Sequence, residues 1–317
     1  MGNNEFKPFV VAVVGPTASG KTTFGIELAK EFDGEIISAD SMQIYKGLDI
    51  ATAKPTAEEM GDIPHHLISI LELDEPFSVA DYVKLAKQKI DKVTALGKLP
   101  IIVGGTGLYV SSLLNNIQFS ESKSDEAYRA ELYELARLHG ANALHRKLIE
   151  TDPAAAAEIH ENNLVRVVRA LEVCRLTGRK FSEVKAEAAS HESDYRSFII
   201  GLDANNRQVL YDRINKRVTD MAKCGLVEEA RTVWENCELR TAANAIGYKE
   251  LIEYFEGHRS IEECLDKIRQ ETRRYAKRQL TWFRRNATIT WLNFDEIDEF
   301  AKKLENCKKT IAKMKKI

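Results

Sequence analysis

The chain is poor in cysteine, and its five thiols (Cys174, Cys224, Cys237, Cys264 and Cys307) contain no C-x₂-C pair. That scatter argues against a zinc site or a disulfide framework and for reduced thiols in a cytoplasmic protein. No apolar run approaches the roughly 20 residues of a membrane span. The N-terminus has no apolar signal segment, and Phe6 stands where a myristoylation motif needs Ser or Thr. A cytoplasmic monomer with no membrane partner is the expectation. Net charge is also nearly absent, at −2, which would argue against a nucleic-acid partner if the charges were evenly spread. With 317 residues there is room for one large domain or two ordinary ones, and the composition is that of a soluble globular protein.

What is present begins with Gly15-Pro16-Thr17-Ala18-Ser19-Gly20-Lys21-Thr22. It fits G-x-x-x-x-G-K-[ST], follows the buried-strand pattern 9–14 and precedes a helix-forming run, 23–32. Glycines let the backbone fold around a phosphate group, and successive N–H donors with the helix N-terminus hold its charge. Lys21 would reach phosphate oxygens and the Thr22 hydroxyl would ligate Mg²⁺. The alternative is a Gly-rich turn that merely closes a strand–helix unit. In nucleotide- and ATP-binding hydrolases of this type a second strand ends in an Asp for the metal. Here strand 99–103 ends in Gly104-Gly105-Thr106-Gly107 instead. Strand 35–39 does end in an acid, Asp40, and runs into Ser41-Met42-Gln43. A carboxylate, a hydroxyl and an amide at the rim of a phosphate site suit an acceptor group better than a metal.

Strand and helix patterns alternate through the first third, with a short strand at 65–70 and an amphipathic helix over 79–96. That alternation means a parallel sheet covered on both faces. From 117 to about 189 only helical segments are found, at 126–139, 142–149, 153–160, 164–177 and 181–189. Strands return at 198–202 and 289–292. The fold class is therefore α/β, a phosphate-loop parallel sheet flanked by helices, with the core over 1–117 and 196–317 and an all-helical insertion over 118–195. The Lys-rich stretch 302–316 reads as the solvated face of a terminal helix. His65 and His66 lack a third ligand at useful spacing and read as structural.

The small net charge hides an uneven distribution. Between Lys267 and Arg285 lie eight cations against one acid, Glu271. A helix opened by Ser260 and Glu263 sets Arg274, Lys277, Arg278, Thr281 and Arg285 on one side, with Ile261, Leu265, Ile268, Thr272 and Tyr275 on a buried one. A solvated basic face is the usual fate of such a run; scarce acids and interleaved Gln279 and Trp282 favour nucleic acid. Arg213 and Arg217 stand one helical turn apart. They could clamp a phosphate opposite the loop, or pair with Asp212 or Asp220.

Taken together, Gly15–Thr22, the block from Asp40 to Pro55, Pro64-His65-His66-Leu67 and Gly104-Gly105-Thr106-Gly107-Leu108-Tyr109 resemble the tRNA dimethylallyltransferase family. Asn163-Leu164-Val165-Arg166, Ala245-Ile246-Gly247-Tyr248 and the run from Arg273 to Arg284 extend the resemblance over nearly the whole chain, without the C-terminal zinc finger of many eukaryotic relatives. The resemblance implies transfer of a dimethylallyl group from its pyrophosphate to N6 of the adenosine 3′ of the anticodon. Gly15 to Thr22, with Mg²⁺ and Arg213 or Arg217, would then hold pyrophosphate, and Asp40 and Thr106 would be catalytic. It implies tRNA contacts at Asp40, Ser41, Met42, Gln43, Thr106, Arg129, Val165, Arg166, Arg169, Ala242, Ala245, Ile246, Gly247, Arg273, Arg274, Lys277, Arg278 and Gln279, with the insertion gripping the anticodon stem-loop. Three other readings remain: the same chemistry on free AMP, ADP or ATP, a small-molecule kinase, and a non-catalytic RNA-binding protein.

Overall fold

The structure, a computed structural model, describes residues 7–117, 125–188, 190–235 and 245–316. Two residues noted above, Cys237 and Ala242, lie outside them. The chain starts with β1 (Phe9–Val14), α1 (Lys21–Phe32), β2 (Gly34–Ser38), a one-turn α2 (Ala57–Met60) and β3 (His65–His66). It continues through α3 (Val79–Ala95), β4 (Leu99–Gly104) and α4 (Gly107–Leu114). Five helices follow: α5 (Glu126–His139), α6 (Ala141–Thr151), α7 (Pro153–Glu158), α8 (Leu164–Thr177) and α9 (Phe181–Ala188). The remainder is β5 (Arg196–Asp203), α10 (Arg207–Lys223), α11 (Leu226–Glu235), α12 (Ile252–Phe255), α13 (Ile261–Phe283), β6 (Thr290–Asn293) and α14 (Ile297–Lys315).

The six strands form one sheet in the order β3-β2-β4-β1-β5-β6. Every neighbouring pair is parallel. All residues of β1 and β4 are buried, as strands covered on both faces require, and this is why their sequences are apolar without alternation. Helix α1 buries Ile26, Leu28 and Ala29 in the core under β1 and β4. Serine caps with a reciprocal acid three residues on start α3 (Ser78, Asp81) and α13 (Ser260, Glu263), as their sequences predict.

Several boundaries differ from the sequence reading. The strand expected over 65–70 lasts two residues, because Leu67 (φ 61°) and Ser69 (φ 50°) adopt left-handed backbone that no strand tolerates. Helix α14 begins at Ile297 and buries Cys307 and Ile311 against the sheet core, so it is a packed helix and not only a solvated face. Helix α13 keeps its expected outer side, with Arg274, Lys277, Arg278, Thr281 and Arg285 exposed, and Ile261, Leu265 and Ile268 pack inward as expected; it also buries Cys264, Ala276, Gln279, Leu280 and Phe283.

The described residues divide into two compact units, Met1–Leu114 with Asp194–Ile317, and Asn115–Ser193. Among the described residues, the regular elements of the second are all helices. Tyr128, Leu132, Leu144, Leu148, Val167 and Leu171 fill its centre. Buried Asp152 caps α7 through Ala155 N–H (3.0 Å) and accepts both the N–H (2.7 Å) and hydroxyl (2.9 Å) of Ser182 in the first turn of α9. No helix among the described residues is long and apolar enough to cross a membrane.

The β2–β4 ladder runs on past the strand ends: Ala39 N–H donates to Val103 O (2.8 Å) and Thr106 N–H to Ala39 O (3.1 Å). That approach needs Gly104, whose added Cβ would lie 2.2 Å from Ala39 O. Since backbone cannot swing aside as a side chain can, Gly104→Ala should destabilise the fold by about 3 kcal/mol. Urea unfolding reads this out; a midpoint matching wild type would show that the strand ends shift freely.

Candidate active site

The loop between β1 and α1 has the conformation its glycines allow. Gly15 (φ +145°) passes Leu202 so closely that a Cβ would meet its carbonyl oxygen at 2.4 Å. Gly20 (φ +86°) caps α1 in left-handed conformation with no side-chain cap, which leaves the first N–H groups of the helix for a ligand. The Ser19 hydroxyl (2.8 Å) and Lys21 Nζ (2.6 Å) both donate to Pro16 O, so the loop is held from within.

A second anchor comes from α13. Gln279 is buried, its Oε1 accepts Thr17 N–H (2.8 Å) and its Nε2 donates to Gly105 O (2.9 Å). A Cβ on Gly105 would stand 2.1 Å from Gln279 Nε2, and one on Gly107 would stand 2.3 Å from the Trp282 ring. Trp282 Nε1 donates to Ser111 Oγ (3.0 Å). The Gly-Gly-Thr-Gly sequence therefore serves close approach of α13 to the end of β4. Gln279, which the resemblance put among RNA contacts, has both ends of its amide bound to backbone.

Asp40 follows β2. Its Oδ1 accepts the N–H groups of Met42 (2.9 Å) and Gln43 (3.3 Å), so the carboxylate is oriented through one oxygen. Thr106 Oγ1 accepts Ser41 N–H (3.1 Å), which joins the two strand ends across the sheet. The Gln43 amide donates to Thr52 O (3.1 Å) and Ala53 O (3.2 Å) and closes the following loop upon itself.

These elements surround a cavity of about 820 Å³. The phosphate loop, Asp40 to Gln43, Arg217, Tyr275, Arg278 and the Ala245–Gly247 stretch border it; Thr106 stands behind Ser41. The two arginines of α10 part company. Arg217 faces the cavity, while Arg213 is exposed and lies over the Phe294 ring at 3.9 Å. Burial and the Arg217 charge pull Lys21 down to about 7, against the upward pull of Asp40. Burial also lowers Arg217, opposed by Asp40 and Glu59, yet a guanidinium stays protonated. The tyrosine hydroxyl of Tyr275 is raised by burial and by Asp40, and hydrogen-bonds to Thr106 and Gln279.

The basic stripe of α13 is divided in its uses. Arg273 donates to Asn215 on α10 (2.6 Å), Arg284 pairs with buried Asp203 at the end of β5 (2.7 Å), and Arg274 pairs with Glu271 (2.6 Å). Arg274, Lys277 and Arg278 are exposed. In the helical unit, Glu172 is fully buried and held by Arg129 (2.8 Å), Arg169 (2.6 Å) and Asp125 N–H (2.9 Å). Burial pushes the Glu172 carboxyl up, but the two arginines hold it below its ordinary value. Val165 and Arg166 are exposed on the same helix as Arg169. His66 Nε2 and Lys98 Nζ meet the two oxygens of Glu35 (2.7 and 2.8 Å), a structural pairing. No group of three or more His, Cys, Asp or Glu able to hold a metal occurs among the described residues.

Two residues escaped the sequence reading. Tyr275 lies on the inward side of α13 expected from the sequence, but that this side borders the cavity was not signalled. Glu229 on α11 reaches residues 178–180 positions earlier, a contact that no local pattern signals.

A phosphate loop on a parallel sheet, an acid at the end of the neighbouring strand and an opposing arginine define a P-loop enzyme that handles a phosphorylated ligand. The sequence model of the IPP transferase family matches residues 43–286, and the chain belongs to that family. It is 50% identical over 307 residues to the tRNA dimethylallyltransferase of Geobacillus kaustophilus, covering 96% of each chain. It is 47% identical to that of Halalkalibacterium halodurans, over 94% of this chain and 95% of the relative. The crystal structure of the tRNA isopentenylpyrophosphate transferase from Bacillus halodurans matches 97% of this chain and 100% of its own, with 45% identity and a TM-score of 0.67. A eukaryotic dimethylallyltransferase solved acting on tRNA matches 90% of this chain and 74% of its own, with 27% identity and a TM-score of 0.76.

The lowered Lys21 has a measurable consequence. An anion favours the charged form, so inorganic diphosphate binding at pH 8 should take up close to one proton by this residue, and uptake should vanish at pH 5.5, where Lys21 is already charged. Calorimetry in two buffers of different ionisation enthalpy measures it. Lys21→Met should remove the uptake; wild type without uptake at pH 8 would show that Lys21 is already charged before the anion binds.

Proposed function

We propose that the protein transfers a dimethylallyl group from dimethylallyl pyrophosphate to N6 of the adenosine 3′-adjacent to the anticodon in tRNA, releasing pyrophosphate. The observation that carries this is Asp40: an oriented carboxylate bordering the same cavity as Lys21, Thr22 and Arg217. In the reaction the C1–O bond of the donor breaks, the N6–C1 bond forms, the N6 proton passes to Asp40, and the electron pair leaves with pyrophosphate. Adenine N6 is a poor nucleophile because its lone pair is delocalised, so a carboxylate on its N–H assists attack. Lys21, Arg217 and the N–H groups of the loop neutralise charge on the leaving group. Thr106 would steady the Asp40–Gln43 turn by accepting Ser41 N–H.

Thr22, which borders the cavity beside Lys21, would hold a Mg²⁺ through its hydroxyl. Such an ion would add positive charge against the leaving group. Exposed Val165 and Arg166, with Arg129 and Arg169 presented by Glu172, offer the helical unit's contacts to the anticodon stem-loop; Arg274, Lys277 and Arg278 offer phosphate contacts from α13. The protein acts as a cytoplasmic monomer. Incubation with dimethylallyl pyrophosphate and either unmodified anticodon stem-loop or AMP tests the reading. A five-carbon mass gain on the stem-loop adenosine alone supports it; modification of AMP alone would assign a free nucleotide as acceptor.

Asp40→Ala should lower single-turnover transfer by roughly 10²–10⁴-fold while stem-loop affinity stays within a few-fold. Turnover near wild type would remove Asp40 from the mechanism.

Alanine at Arg274, Lys277 or Arg278 should each weaken stem-loop binding and reduce the slope of log K against log salt by about one for a duplex contact. Donor affinity should not move for Arg274 or Lys277, which stand off the cavity. Unchanged slopes in all three would assign the stripe to solvent.

A further inference from the structure

Glu229 on α11 has no place in the chemistry above, yet its carboxylate collects four hydrogen bonds. Oε2 accepts the N–H groups of Asp49 (2.8 Å) and Ile50 (2.8 Å). Oε1 accepts Ala51 N–H (3.0 Å) and the Tyr248 hydroxyl (2.8 Å). Three successive N–H groups converging on one carboxylate make an anion nest that the protein fills with its own side chain. The partners of Glu229 belong to or directly adjoin the cavity wall: Asp49 to Ala51 line it, and Tyr248 follows the lining stretch Ala245–Gly247. Asp49 to Lys54 borders one part of it, and Ala245, Ile246 and Gly247 border another. The two segments touch, since a Cβ on Gly247 would stand 2.9 Å from Ala51 Cβ.

The connection runs on to the reacting groups. The next carbonyls after the nest, Thr52 O and Ala53 O, accept the Gln43 amide. Gln43 N–H in turn donates to Asp40 Oδ1. Hydrogen bonds joined by short stretches of backbone and by the Gln43 side chain thus lead from Glu229 to the carboxylate bordering the cavity. The phosphate loop takes no part in it: its anchors are Pro16 O and Gln279.

We propose that Glu229 is a positioning residue that joins the 49–53 loop to the Ala245–Gly247 segment and thereby sets the acceptor wall of the site and the orientation of Asp40. This rests on the reading of the site as a tRNA-modifying one. It separates control of the acceptor from control of the donor, because Glu229 reaches only the former.

Glu229→Gln tests it. An amide turned either way sets an N–H₂ group against N–H or O–H donors that the carboxylate accepted. Transfer to the stem-loop should fall roughly 10- to 100-fold, the usual weight of hydrogen bonds to a charged group. Affinity for inorganic diphosphate should stay within about twofold, and exchange of the Asp49, Ile50 and Ala51 amide hydrogens should accelerate. Tyr248→Phe, which removes one bond of the four, should move transfer the same way by a smaller factor and decides the matter if Glu229→Gln fails to fold. Wild-type transfer in these variants would overturn the proposal. A loss of diphosphate affinity equal to the loss of transfer would also overturn it, since it marks general damage. If the wild-type protein modifies no stem-loop, the functional reading fails, and the amide exchange with diphosphate affinity still judges Glu229.

Discussion

The carboxamide of Gln279 reaches from the N–H of Thr17 to the carbonyl of Gly105, and both bonds depend on Gly105 having no side chain. A phosphate loop is otherwise a stretch of backbone with its donors directed at a ligand that is not always there. Here one donor is committed permanently to α13, and the same helix brings Tyr275 and Arg278 to the cavity. The sheet provides β1, β2 and β4 side by side with their carboxyl ends together. What turns those three ends into one site is the seating of α13 on Gly105 and Gly107. A larger residue at either place would push away the helix and, with it, one wall of the cavity.

Charge in the site is organised by contrast. Lys21 and Arg217 share a low-dielectric pocket with Asp40, and desolvation lowers both cations. An arginine cannot give up its proton in such a place and a lysine can, so the pair carries a variable positive charge that a bound anion would bring to its full value. The helical unit uses a different device. Its Arg129 and Arg169 are fixed by a buried carboxylate, so their guanidiniums are already oriented and lose less freedom on binding a phosphate than unpaired side chains would.

Much of this was legible in the sequence because it is local. Apolar runs without alternation marked β1 and β4, reciprocal serine caps marked α3 and α13, and the absence of strand patterns marked the helical middle. That the phosphate loop and Asp40 meet at one cavity could be read because each sits in consecutive residues beside a strand. What could not be read is where distant segments meet. The sequence left Arg213 and Arg217 equivalent; Arg213 turns to Phe294 and only Arg217 meets the cavity. Nothing local tells Gln279 apart from an interleaved polar residue on a basic helix, and its burial follows from glycines more than 170 positions away. The stop after His66 needed left-handed backbone at Leu67 and Ser69 that neither residue type signals.

That stop has an effect beyond the site. β3 is an outer strand of the sheet, with β2 on its one paired side, and a long flat strand there would offer unpaired N–H and C=O groups to any passing chain. With two residues it offers almost none, and the kinked backbone that follows cannot serve as a template. The His66–Glu35–Lys98 cluster places charge beside the same edge. A parallel sheet forms slowly, since its strands are distant in sequence, and a shortened, charged border guards such a sheet against edge-to-edge association while it assembles.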